Sequence, residues 1–147
     1  MKKISLLLLL CLLSSSAWAD ALVAKFSDDD LIRIIKNTGY GVPDKYKEGV
    51  IRVKEGETIF VMFNKPDGDL QLYYSVGGLK VSCEDMNEWN RTHRLSRAYL
   101  DKENDPTLEA DLLANAGMTE KHVTETFSVF KMSVEAFREF LAKQSRK

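Results

Sequence analysis

Three acidic residues in the second half of the chain have the types and spacing that could perform acid–base chemistry. Asp101, Glu109 and Asp111 offer paired carboxylates, which in hydrolases can act as general acid and general base. Glu109 and Asp111 are two residues apart, so on a β-strand both side chains project from one face. Arg97 would share that face, and ion pairs within a sheet explain these charges more simply than a hydrolytic site.

The other reactive residue types are too sparse or too widely spaced to form a recognisable centre. His93 and His122 are the only histidines and lie 29 residues apart, without the short spacings of a zinc motif. On one helix Cys83 and His93 would be almost three turns apart, too far for a hydrogen-bonded dyad. No phosphate-binding glycine loop and no Gly-x-Ser-x-Gly turn is present. We therefore expect no enzymatic activity, no metal and no cofactor.

The first 19 residues have the composition of an export signal. Lys2 and Lys3 precede an apolar run at residues 4–13, and Ala17 and Ala19 occupy the positions that a signal peptidase reads. A membrane-spanning helix needs about 20 apolar residues, so this run is short for an anchor, although an uncleaved anchor is the alternative. We expect cleavage after Ala19 and a periplasmic or secreted bacterial protein.

Residues 20–147 then form a mature chain of 128 residues, which fits one domain. Cleavage removes two of the 21 basic residues and none of the 22 acidic ones, leaving a formal charge of −3. This mild negative charge argues against nucleic-acid binding, which favours a basic surface. No other segment is apolar enough to span a membrane. Loss of Cys11 leaves Cys83 as a single thiol, which we expect to be buried on the apolar side of its helix.

Three helix starts carry the same capping chemistry. Ser27 is followed by Asp30 and Ser82 by Asp85, which is the spacing of a capping box. Thr119 can cap the third helix without an acid three residues later. These side chains satisfy amide groups that the first turn leaves without partners.

Strand patterns lie between these helices. Residues 50–54, 58–64 and 70–76 are rich in apolar residues and are separated by turn-forming segments. A hairpin follows the second helix. The sequence therefore predicts a single α+β domain with an antiparallel sheet and the order α-β-β-β-α-β-β-α.

The register of the hairpin follows from the face that must be buried. If the loop comprises residues 103–105, Ala98 lies opposite Ala110 and Leu100 opposite Leu108. Arg97 then faces Asp111 on the other side of the sheet. A slip by one residue would mix a charge into the apolar set, so we expect the first pairing.

The second helix has a polar side that permits two interpretations. It is either solvated, or its amides and guanidinium groups contact a partner or the adjoining hairpin. The candidate binding surface comprises Asn87, Asn90, Arg91, Arg94, Arg97 and Asp111.

Apolar residues define the expected core. In the last helix six of them recur at alternating steps of four and three, the spacing of a helix-packing seam: Val123, Phe127, Phe130, Val134, Phe137 and Leu141. This face covers the sheet of its own chain, or Phe137, Phe140 and Leu141 contact a second subunit. Ser133 could start a new turn and bend the helix. The core residues that we expect are Met86, Trp89, Leu100, Leu108, Phe127 and Phe130.

The segment NEWNRTHRLSRAYLD at residues 87–101, followed by LEADLL at 108–113, resembles the core of the YbjN family. A weaker resemblance extends over residues 27–141. Members of this family are labelled bacterial sensory transduction regulators, and their fold is similar to that of type III secretion chaperones. The resemblance implies a binding or regulatory module that forms a homodimer and contacts a protein partner.

These observations favour an exported, non-enzymatic protein-binding module that acts as a regulator or adaptor. The alternative is a periplasmic protein that binds a small molecule or lipid between the apolar sheet face and the last helix. A hydrolase using Asp101, Glu109 and Asp111 is a third hypothesis.

Overall fold

Six antiparallel strands form one sheet in the computed structural model, which describes residues 21–145. The predicted signal peptide at residues 1–19 lies outside the described residues, so its cleavage stays a prediction. The strands are β1 (Val42–Lys47), β2 (Val50–Glu55), β3 (Thr58–Asn64), β4 (Leu70–Ser75), β5 (Arg97–Leu100) and β6 (Pro106–Leu112). The helices are α1 (Asp28–Thr38), α2 (Cys83–Thr92) and α3 (Glu120–Gln144). Within residues 21–145, none of the helices has both the length and the apolarity needed to cross a bilayer.

The strand order across the sheet is β1-β2-β3-β4-β6-β5, and every neighbouring pair is antiparallel. The predicted α+β class with an antiparallel sheet is confirmed. The structure adds one strand, β1, to the predicted order. β1 contains Pro43 and is almost entirely exposed, so it has no buried face that would impose an alternating apolar pattern.

The predicted helix starts are confirmed. Ser27 and Ser82 each accept a hydrogen bond from the amide three residues later, and Asp30 and Asp85 complete both capping boxes. Thr119 accepts from the amide of His122 at the start of α3. These local contacts are formed within four residues of sequence, which is why the sequence alone predicts them.

The sheet buries one face against all three helices. This face carries Ile51, Val53, Phe60, Met62, Leu70, Leu72, Tyr74 and Leu108. The register places Arg52, Val61, Tyr73, Glu109 and Arg97 in one row on the opposite side. No helix of the described chain packs there, and we call this side the helix-free face.

The hairpin between β5 and β6 has a different register from the predicted one. Ala98 lies opposite Leu108 and Leu100 opposite Pro106, a shift of two residues. The cause is a longer turn at residues 101–105, where the Asp101 carboxylate accepts from the amides of Glu103 and Asp105. Because the shift is two residues, every side chain keeps its predicted face.

α3 runs without interruption from Glu120 to Gln144, so Ser133 does not cap a new turn. The Ser133 hydroxyl donates to the carbonyl of Val129 in the preceding turn instead of starting a new one. All six seam residues are buried in the chain's own core. Phe137 and Leu141 are among them, so neither is available at the surface for a second subunit.

α2 packs onto the core through Met86 and Trp89, which are both almost fully buried. The Trp89 indole stacks on the His93 ring with 3.6 Å between centroids and contacts the edge of Phe137. Cys83, expected to be buried, is exposed. It is the first residue of α2, and side chains tilt toward the helix N-terminus, so its thiol projects beyond the packed part of the helix.

Candidate interaction surface

Asn90 holds the exposed edge of β5. Its side-chain amide donates to the carbonyl of Ala98 at 2.9 Å, and its oxygen accepts from the amide of Ala98 at 2.8 Å. An edge strand exposes backbone groups that another chain could pair with, and here one side chain satisfies both groups of a residue. Of the two interpretations of this polar side, the structure therefore assigns Asn90 to the adjoining hairpin.

The other polar residues of α2 lie at the surface. The Arg91 guanidinium pairs with Glu84 at 3.1 Å and with Glu88 at 2.5 Å, both on its own helix. These hydrogen bonds raise the pKa of Arg91, Glu88 contributing most. Asn87 and Arg94 are exposed. The sequence therefore places these three residues on the surface, but the structure does not join them to Arg97 and Asp111 in one site.

Arg97 and Tyr99 hold the carboxylate of Glu109 on the helix-free face. Arg97 Nη2 lies 2.5 Å from Glu109 Oε2, and the Tyr99 hydroxyl donates to Oε1 at 2.5 Å. The hydrogen bond to Glu109 raises the pKa of Arg97. Burial, followed by the hydrogen bond to Glu109, raises the pKa of Tyr99, so this phenol stays protonated at neutral pH. Arg97 was expected opposite Asp111, and the two-residue shift in register exchanges that partner for Glu109.

The same face presents aromatic and aliphatic side chains beside these charges. Phe63 contacts the edge of the Tyr73 ring at 6.0 Å, and the Lys65 ammonium lies 4.8 Å from the centre of the Phe63 ring. Val61 is directly opposite Tyr73, and Ile59 at the end of the face is 47% exposed. The helix-free face therefore combines half-buried apolar rings with cations.

A groove of about 600 Å³ follows the outer edge of β6 and separates it from α3; we call it the β6 groove. This volume is within the roughly 300–1,000 Å³ of typical ligand sites. Its apolar lining comes from Leu95, Ala110, Leu112, Val129 and Phe130. Arg97, Asp111 and Glu125 contribute charges at its margin.

The three carboxylates considered for hydrolysis have separate structural environments. Asp101 accepts from amides of the hairpin turn, and both oxygens of Glu109 are occupied by Arg97 and Tyr99. Asp111 is exposed and lines the β6 groove. In residues 21–145 no group of three or more His, Cys, Asp or Glu side chains is placed to hold a metal ion.

The expected core residues occupy two environments. Met86, Trp89, Leu108, Phe127 and Phe130 are buried, whereas Leu100 is partly buried because it lies at the end of the short edge strand. The rings of Phe60 and Phe127, 5.6 Å apart, fill the centre of the interface between the sheet and α3. The β6 groove opens at the edge of the same interface, between Ala110 and Leu112 of the apolar sheet face and Val129 and Phe130 of α3.

Asp28 belongs to a polar cluster that the sequence did not reveal. Its carboxylate accepts from Asn64 Nδ2 at 2.8 Å and from the amide of Gly49 at 2.9 Å, and Lys45 lies 3.1 Å away. In the sequence, three aspartates at the start of a helix are accounted for by the helix dipole, which favours carboxylates there. A buried position for one of them has no signal in the local sequence, because its partners lie on β1, on β3 and in the turn between β1 and β2.

Comparison with known sequences gives one family. The model of the YbjN family, described as "Putative bacterial sensory transduction regulator", matches residues 27–143. No curated protein matches the chain in sequence.

The fold is similar to that of solved structures. The crystal structure of YbjN from E. coli, described as "a putative transcription regulator", superposes with a TM-score of 0.62 at 14% identity, covering 84% of this chain and 93% of that chain. The ExoT–SpcS complex from Pseudomonas aeruginosa gives a TM-score of 0.54 at 14% identity, covering 72% of this chain and 92% of the matched chain. At this identity the likeness concerns the fold, and it confirms the expected secretion chaperone-like architecture.

Proposed function

The chain belongs to the YbjN family, and on that premise we propose that it is a regulator or adaptor that acts by binding another protein. The family description as a regulator supports this role. The second structural neighbour was solved in complex with a protein partner, which shows that a related fold can serve as a binding scaffold.

The observation that carries the proposal is the composition of the helix-free face. Phe63, Tyr73 and Tyr99 lie half-buried on it, with the Arg97 guanidinium 5.7 Å from the centre of the Tyr99 ring. Tyrosine, phenylalanine and arginine are enriched in protein interfaces because they bury large areas and also form hydrogen bonds. On this face the rings and cations of neighbouring strands lie side by side, an arrangement that suits contact with a protein surface.

We propose a non-enzymatic mode of action. The carboxylate best placed for chemistry, Glu109, has both oxygens engaged by β5, and its task is to hold the hairpin. The protein would then act through contacts that its surface side chains make with a partner.

We further propose that the protein acts after export to the periplasm or outside the cell, and that it forms a homodimer. The export proposal rests on the charged and apolar segments of residues 1–19. The dimer proposal rests on the family resemblance. Size-exclusion chromatography with light scattering on the mature chain tests the dimer directly, because a monomeric mass over the full concentration range would contradict it.

A capture experiment tests protein binding by the helix-free face. The tagged mature chain is cross-linked in periplasmic extract, and captured proteins are quantified by mass spectrometry against a Phe63→Ser, Tyr73→Ser double variant. Met132→Ser is the matched control, because Met132 is 57% exposed on α3, away from this face. We expect a partner that wild type and control retain and the double variant loses.

Equal capture by all three proteins would overturn the assignment of the face. Absence of any partner above an unrelated bait would overturn the binding function itself. Circular dichroism on each variant establishes that the fold is intact.

The β6 groove favours a second candidate function, binding of a small molecule or lipid. Its apolar lining and volume suit such a ligand. Native mass spectrometry of the protein purified from its own host distinguishes the two, since a stoichiometric co-purified mass would favour this candidate.

A further inference from the structure

The two lateral edges of the sheet are protected against pairing with another strand. At one edge, β1 carries Pro43 and an irregular register between Lys45 and Lys47. Proline lacks the amide donor, and a bulge twists the edge away from an incoming strand. At the other edge, Asn90 occupies both backbone groups of Ala98.

The second half of β6 lacks such protection because β5 ends before it does. The pairing between these strands stops at Arg97 opposite Glu109, while β6 continues to Leu112. Continuing the register would place Leu95 opposite Asp111. Leu95 has a φ of 65°, which is uncommon for a residue other than glycine, and turns the chain away from β6.

The backbone of Asp111 faces this vacated position. Ala98 directs its backbone groups away from β6 toward Asn90, so the alternating residues Arg97 and Tyr99 are the ones that pair with β6. Their partner Glu109 therefore directs its N–H and C=O toward β5, and so does Asp111 two residues later. In the described chain no strand lies beside Asp111, and the β6 groove begins there.

We propose that an extended peptide segment of a protein partner adds as a strand to β6 at Asp111, with a basic residue flanked by apolar ones. This inference rests on the proposed protein-binding function and specifies the chemistry of its partner. Strand addition obtains affinity from backbone hydrogen bonds and specificity from alternating side chains.

The side chains around this edge define the sequence pattern. A residue paired with Asp111 projects onto the helix-free face next to that carboxylate. A lysine or arginine is favoured there because the neighbouring cation, Arg97, is already paired with Glu109 at 2.5 Å. Its two neighbours project to the other side, onto Ala110, Leu112 and Val129 in the β6 groove. Glu125, which pairs with Lys121 at 3.7 Å on α3, is a second acidic side chain that lines the groove.

A second copy of this chain fits the edge less well. Two β6 strands paired antiparallel about Asp111 would place their Asp111 carboxylates directly opposite each other. Like charges in such a pair are destabilising, so the occupant that the charges favour is a different, basic segment.

Fluorescence anisotropy with a designed peptide tests the proposal. The probe is labelled Gly-Ser-Val-Arg-Val-Ser-Gly, with a matched peptide that carries glutamate in place of arginine, titrated with the mature protein at low ionic strength. We expect wild type to bind the arginine peptide about tenfold more tightly, a difference of roughly 1.4 kcal/mol. Asp111→Lys should reverse the preference. Glu139→Lys, which makes the same charge change on an exposed part of α3, should preserve it.

A third peptide, N-methylated at the arginine, separates strand addition from simple charge attraction. It keeps the charge and loses the backbone donor, so we expect its binding to be abolished. Equal binding of the methylated peptide, an unchanged preference in Asp111→Lys, or no binding by wild type up to millimolar concentration would each overturn the proposal.

These outcomes are independent of the capture experiment. If a partner depends on Phe63 and Tyr73 but no peptide binds, strand addition alone fails. If the peptide binds at Asp111 and a protein is captured equally by wild type and by the Phe63→Ser, Tyr73→Ser variant, the proposed role of the helix-free face fails while the edge site stands.

Discussion

Asn90 illustrates how a single side chain can replace a strand. Its amide provides one donor and one acceptor at the spacing of a backbone residue, and it pairs with both backbone groups of Ala98. Asparagine is suited to this task because its side chain is itself an amide. Ala98 is only 3% exposed, so water cannot readily substitute for the missing pairing.

Replacement of Asn90 should therefore destabilise the protein although its side chain is not part of the apolar core. We expect Asn90→Ala to lower the free energy of unfolding by about 1–3 kcal/mol, the cost of leaving buried polar groups without partners. Urea denaturation measures this change. Asn87→Ala, an exposed asparagine on the same helix, should stay within about 0.5 kcal/mol of wild type. Similar values for the two variants would contradict the role assigned to Asn90.

Trp89 is the aromatic residue that fixes α2 to α3. It is 1% exposed, and its ring contacts Phe137 and Phe140 at 5.0 and 5.6 Å between centroids. We expect Trp89→Ala to lower the free energy of unfolding by about 3–5 kcal/mol, because a large cavity replaces the indole. Thermal or urea unfolding checks this value. Melting like wild type would mean that the indole is not buried in solution.

At the scale of elements, Asp28 connects the start of α1 to the first half of the sheet. Burial disfavours its charged form, but the hydrogen bonds from Asn64 and Gly49 and the Lys45 ammonium outweigh burial and hold the pKa of Asp28 below its ordinary 3.8. A carboxyl whose pKa is lower in the folded state than in the unfolded state stabilises the folded state at pH values above the unfolded-state pKa. The contribution disappears as the pH falls through the lower, folded value.

This linkage predicts that the difference in stability between wild type and Asp28→Asn depends on pH. We expect Asp28→Asn to be less stable than wild type at pH 7, with the gap narrowing as the pH falls below about 3.8, where the wild-type carboxyl also becomes neutral. Urea unfolding at a series of pH values measures the gap. Asp29→Asn, exposed in the same helix turn, should leave the pH profile parallel to that of wild type. A gap independent of pH would show that the ionised form of Asp28 contributes nothing.

Two features at the level of strands and turns were not predicted from the sequence: the strand β1 and the register of the hairpin between β5 and β6. β1 is a strand because β2 provides a pairing edge, and its own residues face solvent. The hairpin of β5 and β6 kept its predicted faces but not its partners, because the Asp101 turn sets the register. The candidate surface was consequently predicted with correct exposure for Arg97 and Asp111 but with the wrong pairing between them.

At the scale of the whole molecule, the proposed export would determine in which compartment the protein meets a partner. We expect the periplasmic protein from an expressing bacterium to have the intact mass of a chain starting at Asp20. An Ala17→Leu, Ala19→Leu double variant should accumulate as the full-length precursor, because signal peptidase requires small residues at these positions. Intact mass spectrometry of the cell fractions reads out both proteins. A full-length, cytoplasmic wild-type chain would contradict the proposed location.

Features that depend on near neighbours or on periodicity follow from the sequence alone. The caps at Ser27, Ser82 and Thr119 act within one turn, and the seam of α3 from Val123 to Leu141 repeats at helical spacing. The strand faces follow in the same way from a period of two. The resemblance of residues 87–113 to the YbjN family indicates the fold.

The tertiary structure determines which distant groups meet. It paired Arg97 with Glu109, closed the β5 edge with Asn90, exposed Cys83 and left Asp111 beside an open groove. Each of these outcomes depends on the relative placement of two or more elements. A residue's type and spacing describe what it can bind, whereas the packing of the elements decides which partner is within reach.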